Sequence, residues 1–236
     1  IFPEASRWAA PVMVILALIS IIYGALGAIG SRNLMRLVAY TSISHFGFMV
    51  LGIFAFTTQS LTGSMFYMVN HGFSTAALFL AAGFLITRRG SQRVADFGGV
   101  QKVTPVLAGV FLVSGLSGLA LPGMASFVSE FLVLAGTWSR NPWIAGVAAL
   151  GMVLSAVYIL SLYQKTMTGP PTTTTATHFR RDLTAVERLV MVPVLGVLLV
   201  FGFFPQPIVQ LVEPVATVSM QGADESDPAP QAEGVK

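Results

Sequence analysis

Six stretches of the chain, 9–29, 37–56, 61–87, 103–137, 143–164 and 189–212, are long apolar runs that hold no Lys, Arg or Asp and a single Glu, Glu130. Each is long enough to cross a bilayer, which takes about 20 apolar residues in helical form. None shows the ten-residue alternation of polarity that marks a lipid-facing barrel strand. The pattern predicts an all-α polytopic membrane protein with six transmembrane helices. It divides the chain into a short lead-in (1–8), a membrane bundle (9–212) and a tail (213–236). The tail is acidic and contains Pro228 and Pro230, a composition that predicts disorder.

The segments between the runs orient the bundle. If the spans alternate in direction, one side carries ten basic residues: Arg32, Arg36, Arg88, Arg89, Arg93, Lys102, Lys165, Arg180, Arg181 and Arg188. The other carries three, Arg7, Arg140 and Lys236. Basic residues concentrate on the cytoplasmic side of membrane proteins. The segment 165–188, with its Pro/Thr-rich stretch 168–182, is therefore expected in the cytoplasm, and both ends of the chain outside. The formal charge of +3 reads as topology and gives no reason to expect nucleic acid as a partner.

Composition narrows the chemistry. Hydrophobic residues make up 54% of the chain and charged residues 10%, against about 25% charged in soluble domains. The absence of cysteine rules out disulfides, thiolate nucleophiles and cysteine-held iron–sulfur clusters within this sequence. The opening Ile-Phe-Pro-Glu lacks the basic start of a signal peptide, and the expectation is that an N-terminal part of a longer protein precedes it.

The fourth run stands apart from the others. As one helix, its 35 residues would be roughly 52 Å long, beyond the roughly 30 Å hydrocarbon core. Near its middle lies Leu119-Ala120-Leu121-Pro122-Gly123. Proline removes a backbone donor and clashes with the preceding turn, and glycine lowers helix propensity. A break near Pro122 and Gly123 is expected, with freed carbonyls covered by protein or reached by internal water. In transporters such breaks often mark the ion site. A plain proline kink or a tilted helix is the alternative.

Glu130 follows the proline by eight residues. An ionised carboxylate at the bilayer centre costs at least about 2.5–3.5 kcal/mol on insertion scales. It therefore persists protonated, paired or facing internal water, and each condition gives a proton-exchangeable group. Ser126 shares its helical face. His45 has Thr41 and Ser42 at i−4 and i−3, and His71 has Ser74 and Thr75 at i+3 and i+4. Each helix thus presents a narrow polar stripe. Imidazole can accept a proton at one nitrogen and release it from the other, so His45, His71 and Glu130 form a candidate relay. The competing reading is that these groups only fasten helices together, at about 0.6 kcal/mol per interhelical hydrogen bond. The spacings match no recognised metal-ligand pattern. No phosphate-binding loop and no accessible Ser/His/Asp set is present.

Three blocks carry a family likeness. They are Asn33 through Phe48 (NLMRLVAYTSISHFGF), Asn70-His71-Gly72 through Phe79, and Leu121-Pro122-Gly123 through Phe127-Val128-Ser129-Glu130-Phe131. Together with Gly202-Phe203-Phe204-Pro205-Gln206-Pro207 they resemble the antiporter-like membrane subunits of complex I, the NADH–quinone oxidoreductase chains related to multi-subunit cation/proton antiporters. A glutamate on the broken helix, and no lysine soon after His71, look like the subunit M type. The resemblance implies that the chain matches the family's last six spans. These hold the second of two inverted five-helix repeats plus a closing helix, with His45 and His71 on the hydrophilic axis and Glu130 at its end.

It also implies a proton-translocating role beside other membrane subunits, in a bacterial plasma membrane. NADH, flavin, iron–sulfur clusters and quinone would be handled by other subunits, and this chain would hold no cofactor or metal. Two departures stand out. Met35 occupies a position where the family usually has lysine, and the first repeat, with its glutamate and two lysines, is absent from this sequence. The related alternatives are a subunit of a sodium/proton antiporter or of a proton-pumping hydrogenase.

Overall fold

The computed structural model describes residues 2–229 and is built entirely of helices and their connections there. In chain order these are α1 (Pro3–Gly30), α2 (Leu34–Phe54), α3 (Thr58–Arg89), α4 (Pro105–Gly118), α5 (Ala125–Arg140), α6 (Pro142–Met167), α7 (Thr173–His178), α8 (Ala185–Phe203) and α9 (Gln206–Gly222), with two single 3₁₀ turns between α3 and α4. Five of them, α1, α2, α3, α6 and α8, are each long and apolar enough to cross a membrane. The shorter α4 and α5 share the fourth run.

Local sequence sets the ends. Asn33 accepts the Arg36 amide at 3.0 Å, Thr57 accepts that of Ser60 at 3.1 Å, and Asn141 accepts those of Trp143 and Ile144. These side chains satisfy amides that have no partner inside a helix. Thr184 and Glu187 close a reciprocal capping box at the start of α8. Gly90 ends α3 in the left-handed conformation, φ 72°.

Helix pairs pack through small residues and hydroxyls. A side chain at Gly63 would meet the Val133 amide at 2.7 Å, and one at Gly136 would overlap Ser60, so α3 and α5 cross nearly backbone to backbone. The α1–α2 contact is fastened by Ser44 Oγ donating to the Ile21 carbonyl (2.9 Å) and Ser20 Oγ to that of Ile43 (2.8 Å). At the basic end Arg88 forks onto Glu187, with Nη2–Oε2 at 2.6 Å, and joins α3 to α8.

The C-terminal region corrects two expectations. The last span ends at Phe203, not 212, because Pro205 and Pro207 cannot continue the α8 hydrogen-bond ladder. Residues 213–222 are not a disordered tail. They complete α9, whose Ala216 and Met220 pack on Leu61 and Met65 of α3. Beyond α9 the acidic residues meet the basic residues of that face: Asp224 pairs with Arg7 (3.5 Å) and Glu225 with Arg140 (3.2 Å). Asp227 Oδ1 accepts the Thr58 amide at 2.7 Å. Residues 230–236 lie outside the described residues.

Candidate functional site

The site begins with the broken helix. In an unbroken helix the Gly118 carbonyl would accept from the amide four residues on, but that residue is Pro122, which has none. The chain turns through Ala120 (φ 55°) and Gly123 (φ 96°), both in the left-handed region, before α5 starts at Ala125. The Gly118 carbonyl lies 3.1 Å from His45 Nε2 on α2. Pro122 therefore frees an acceptor, and a buried histidine occupies it.

That contact fixes the imidazole. A carbonyl only accepts, so His45 Nε2 carries the proton and neutral His45 presents Nδ1 as an acceptor. His71 Nδ1 lies 3.3 Å from it and must donate. This leaves His71 Nε2 as the acceptor, and the Thr75 hydroxyl lies beside the ring, 3.2 Å from Nδ1 and 3.3 Å from Nε2. The result is a directed chain, His71 to His45 to the helix break, with Thr75 beside His71.

Glu130 is the second part. It is 3% exposed, and one carboxylate oxygen accepts the hydroxyl of Tyr67. Tyr67 bridges the two parts: its ring centroid lies 5.8 Å from that of His45 and 6.4 Å from that of His71. Asn70 Nδ2 donates to the Ala125 carbonyl (2.9 Å) and to Ser129 Oγ (3.2 Å), which locks α3 to the start of α5. Asn70 Oδ1 and the Tyr158 hydroxyl are buried and make no hydrogen bond among the described residues. Buried groups of this kind are commonly served by internal water.

The structure thus gathers His45, His71 and Thr75 into one cluster and sets Glu130 beside it through Tyr67. The other expected polar residues do less. Thr41 donates to its own helix at the Val38 carbonyl, and Ser74 leans on the His71 carbonyl at 3.4 Å. Ser126 faces Ser117 across the break at 3.4 Å rather than Glu130, and Ser42 is only half-buried. Pro122 and Gly123 act through the break itself. Gly202 of α8 covers that break, since any side chain there would overlap the Gly123 carbonyl. Tyr67 escaped the sequence reading although it lies at i−4 from His71, on the same helical face. Among the described residues, no three His, Cys, Asp or Glu side chains come together to hold a metal.

The transmembrane family model described as NADH:quinone oxidoreductase/Mrp antiporter matches residues 1–156. The chain belongs to this family. It is 51% identical over 230 residues to the NADH-quinone oxidoreductase subunit M of Mycobacterium tuberculosis (strain H37Rv), covering 98% of this chain and 41% of that protein. It is 38% identical over 211 residues to the Rickettsia prowazekii protein of the same name, covering 89% and 43%. Its fold is similar to a chain of respiratory complex I from Thermus thermophilus with bound NADH, with TM-score 0.85, 31% identity, and 93% and 46% coverage. A chain of the Mrp complex from Dietzia sp. DQ12-45-1b shares the fold, with TM-score 0.80 and 23% identity over 94% of this chain and 50% of that one. This member of the family spans less than half the length of the curated relatives named here.

Proposed function

We propose that this chain forms the C-terminal part, the last six spans, of a proton-translocating, antiporter-like subunit of NADH–quinone oxidoreductase, close to subunit M. The observation that carries this reading is the buried cluster in which the helix break, His45, His71, Tyr67 and Glu130 adjoin. Such a set has an acceptor nitrogen at one end and a carboxyl group at the other, with a phenol between them. A proton added at His71 Nε2 makes an imidazolium that can release its Nδ1 proton to His45 Nδ1. His45 then holds the charge as an imidazolium whose Nε2–H still donates to the Gly118 carbonyl, and it gives the proton up again from Nδ1. Glu130 exchanges its own proton through Tyr67 and internal water.

Moving a proton against 100 mV costs about 2.3 kcal/mol. In this reading electron transfer in other subunits supplies that energy by changing the charge at the proximal end of the axis, and NADH, flavin, iron–sulfur clusters and quinone stay with those subunits. Neighbouring antiporter-like subunits and the lipid bilayer are its partners. The ten-to-three division of basic residues supports a cytoplasmic basic face and both ends outside, and the Ala/Gly/Val-rich composition with its basic loops favours a bacterial plasma membrane.

Glu130→Gln in the assembled complex tests the proposal. Proton translocation per NADH oxidised should fall while the complex still assembles. An unchanged ratio would remove Glu130 from the path.

A further inference from the structure

The basic face carries a cavity that the relay does not use. It has a volume of about 420 Å³ and is bounded by Arg32 after α1, Arg93 in the α3–α4 connection and Lys165 in the last turn of α6. Val94 and Phe97 form its apolar floor. The backbones that present the two arginines are tied together: the Val94 amide donates to the Arg32 carbonyl at 3.0 Å and the Leu34 amide to that of Gln92 at 2.8 Å. The positive groups are therefore held around one space by fixed backbone and do not merely share a face.

None of the three cations has an acidic partner among the described residues. The acids on this side are engaged elsewhere. The Asp96 carboxylate accepts from Ser91, Asp182 receives the amides of Val106 and Leu107 at the start of α4 (2.8 and 2.9 Å), and Glu187 holds Arg88. Three cations without a salt-bridge partner among the described residues, around a concave space, suit a group with several anionic oxygens.

The cavity does not stop at the polar residues. A narrower space shares Ser31, Val94 and Lys165 with it and runs down the α1–α6 seam past Ile29 and Val157. Ile29 is 40% exposed and Val157 46%, so the seam opens on the surface of the chain. We propose that Arg32, Arg93 and Lys165 bind the phosphate headgroup of an anionic phospholipid whose acyl chain lies along the α1–α6 seam. Phosphate chemistry alone would also suit a free anion. The neighbouring exposed apolar residues Ile29 and Val157 favour a lipid, and basic pockets between transmembrane helices are where anionic headgroups settle.

The test uses the full-length protein in its complex, delipidated in mild detergent and titrated with a photoactivatable phosphatidylglycerol. Labelling of the segment 89–102 is the readout. Wild type should saturate at a lipid concentration about a hundredfold lower than the variant R32Q/R93Q/K165Q, the effect of three basic residues near a lipid phosphate. R180Q/R181Q, which removes two charges of the same face outside the cavity, should label like wild type. A phosphatidylcholine probe should give no saturable labelling, and excess inorganic phosphate should compete only weakly. Equal labelling of wild type and the triple variant would overturn the proposal, as would full displacement by inorganic phosphate. Should the triple variant fail to assemble, K165Q alone at its exposed position should weaken labelling about fivefold, and no change there would be equally decisive.

Discussion

Helices α3 and α8 are both apolar enough to cross a membrane, yet they are built on opposite plans. Along α3 the buried residues Ser60, Ser64, Tyr67, His71 and Ser74 recur every three or four positions, so the inward face of its first half is polar, before Leu78, Ala81 and Leu85 continue that face as apolar packing. After its first turn α8 carries no charged side chain, and only Met191 and Leu198 are buried. Hydrophobicity alone would rate α8 the better membrane helix, and α3 carries the candidate relay groups Tyr67 and His71. The comparison teaches that the apolar run declares the span, while the polar residues that interrupt it at helical spacing declare the site. The role of α8 is cover: Gly202 and Phe203 lie against Gly123 and close the break that exposes the Gly118 carbonyl.

Three substitutions probe that division of labour. Gly202→Leu on α8 should have the largest effect, because the side chain must push against the Gly123 backbone. Overpacking of this kind costs about 3 kcal/mol, and the expected outcome is loss of the assembled complex on a native gel. If the complex accumulates normally, α8 does not hold the break closed. Tyr67→Phe on α3 should leave assembly intact, since it removes one oxygen. It also removes the donor to Glu130, a hydrogen bond to an acidic group worth about 1.5 kcal/mol or more, so proton translocation should slow about tenfold. Normal translocation would reduce Tyr67 to packing. Arg88→Ala, at the clasp between the two helices, should have the smallest effect. Its pair with Glu187 is bidentate but near the surface, so about 1–2 kcal/mol of stability should be lost, read as a lower temperature of dissociation. A loss equal to that of Gly202→Leu would mean that the clasp, not the packing at the break, positions α8.

Much of this was legible before the structure. Glu130 and the two span histidines stood out because ionisable groups are expensive in a bilayer, and the break followed from Pro122 and from a run too long for one helix. What escaped depended on how the helices cross. Tyr67 reads as an ordinary aromatic until α5 brings Glu130 against it. The partner of the freed Gly118 carbonyl could not be named because His45 lies 73 residues earlier. Thr41, Ser42 and Ser126 shared a face with the candidate groups, but sharing a face does not decide whether a hydroxyl turns to a neighbour or back to its own helix. The end of α8 was a different failure. Pro205 and Pro207 were visible stop signals, but the apolar run continued through them, and the amphipathic α9 was read partly as span and partly as tail.

The central claim is that Glu130 takes up and releases a proton during turnover. The direct measurement is the redox-triggered infrared difference spectrum of the full complex, comparing wild type with Glu130→Gln. A protonated-carboxyl band should appear or vanish when electrons flow in the wild type and be missing from the variant. An identical carboxyl signal in both would contradict the account.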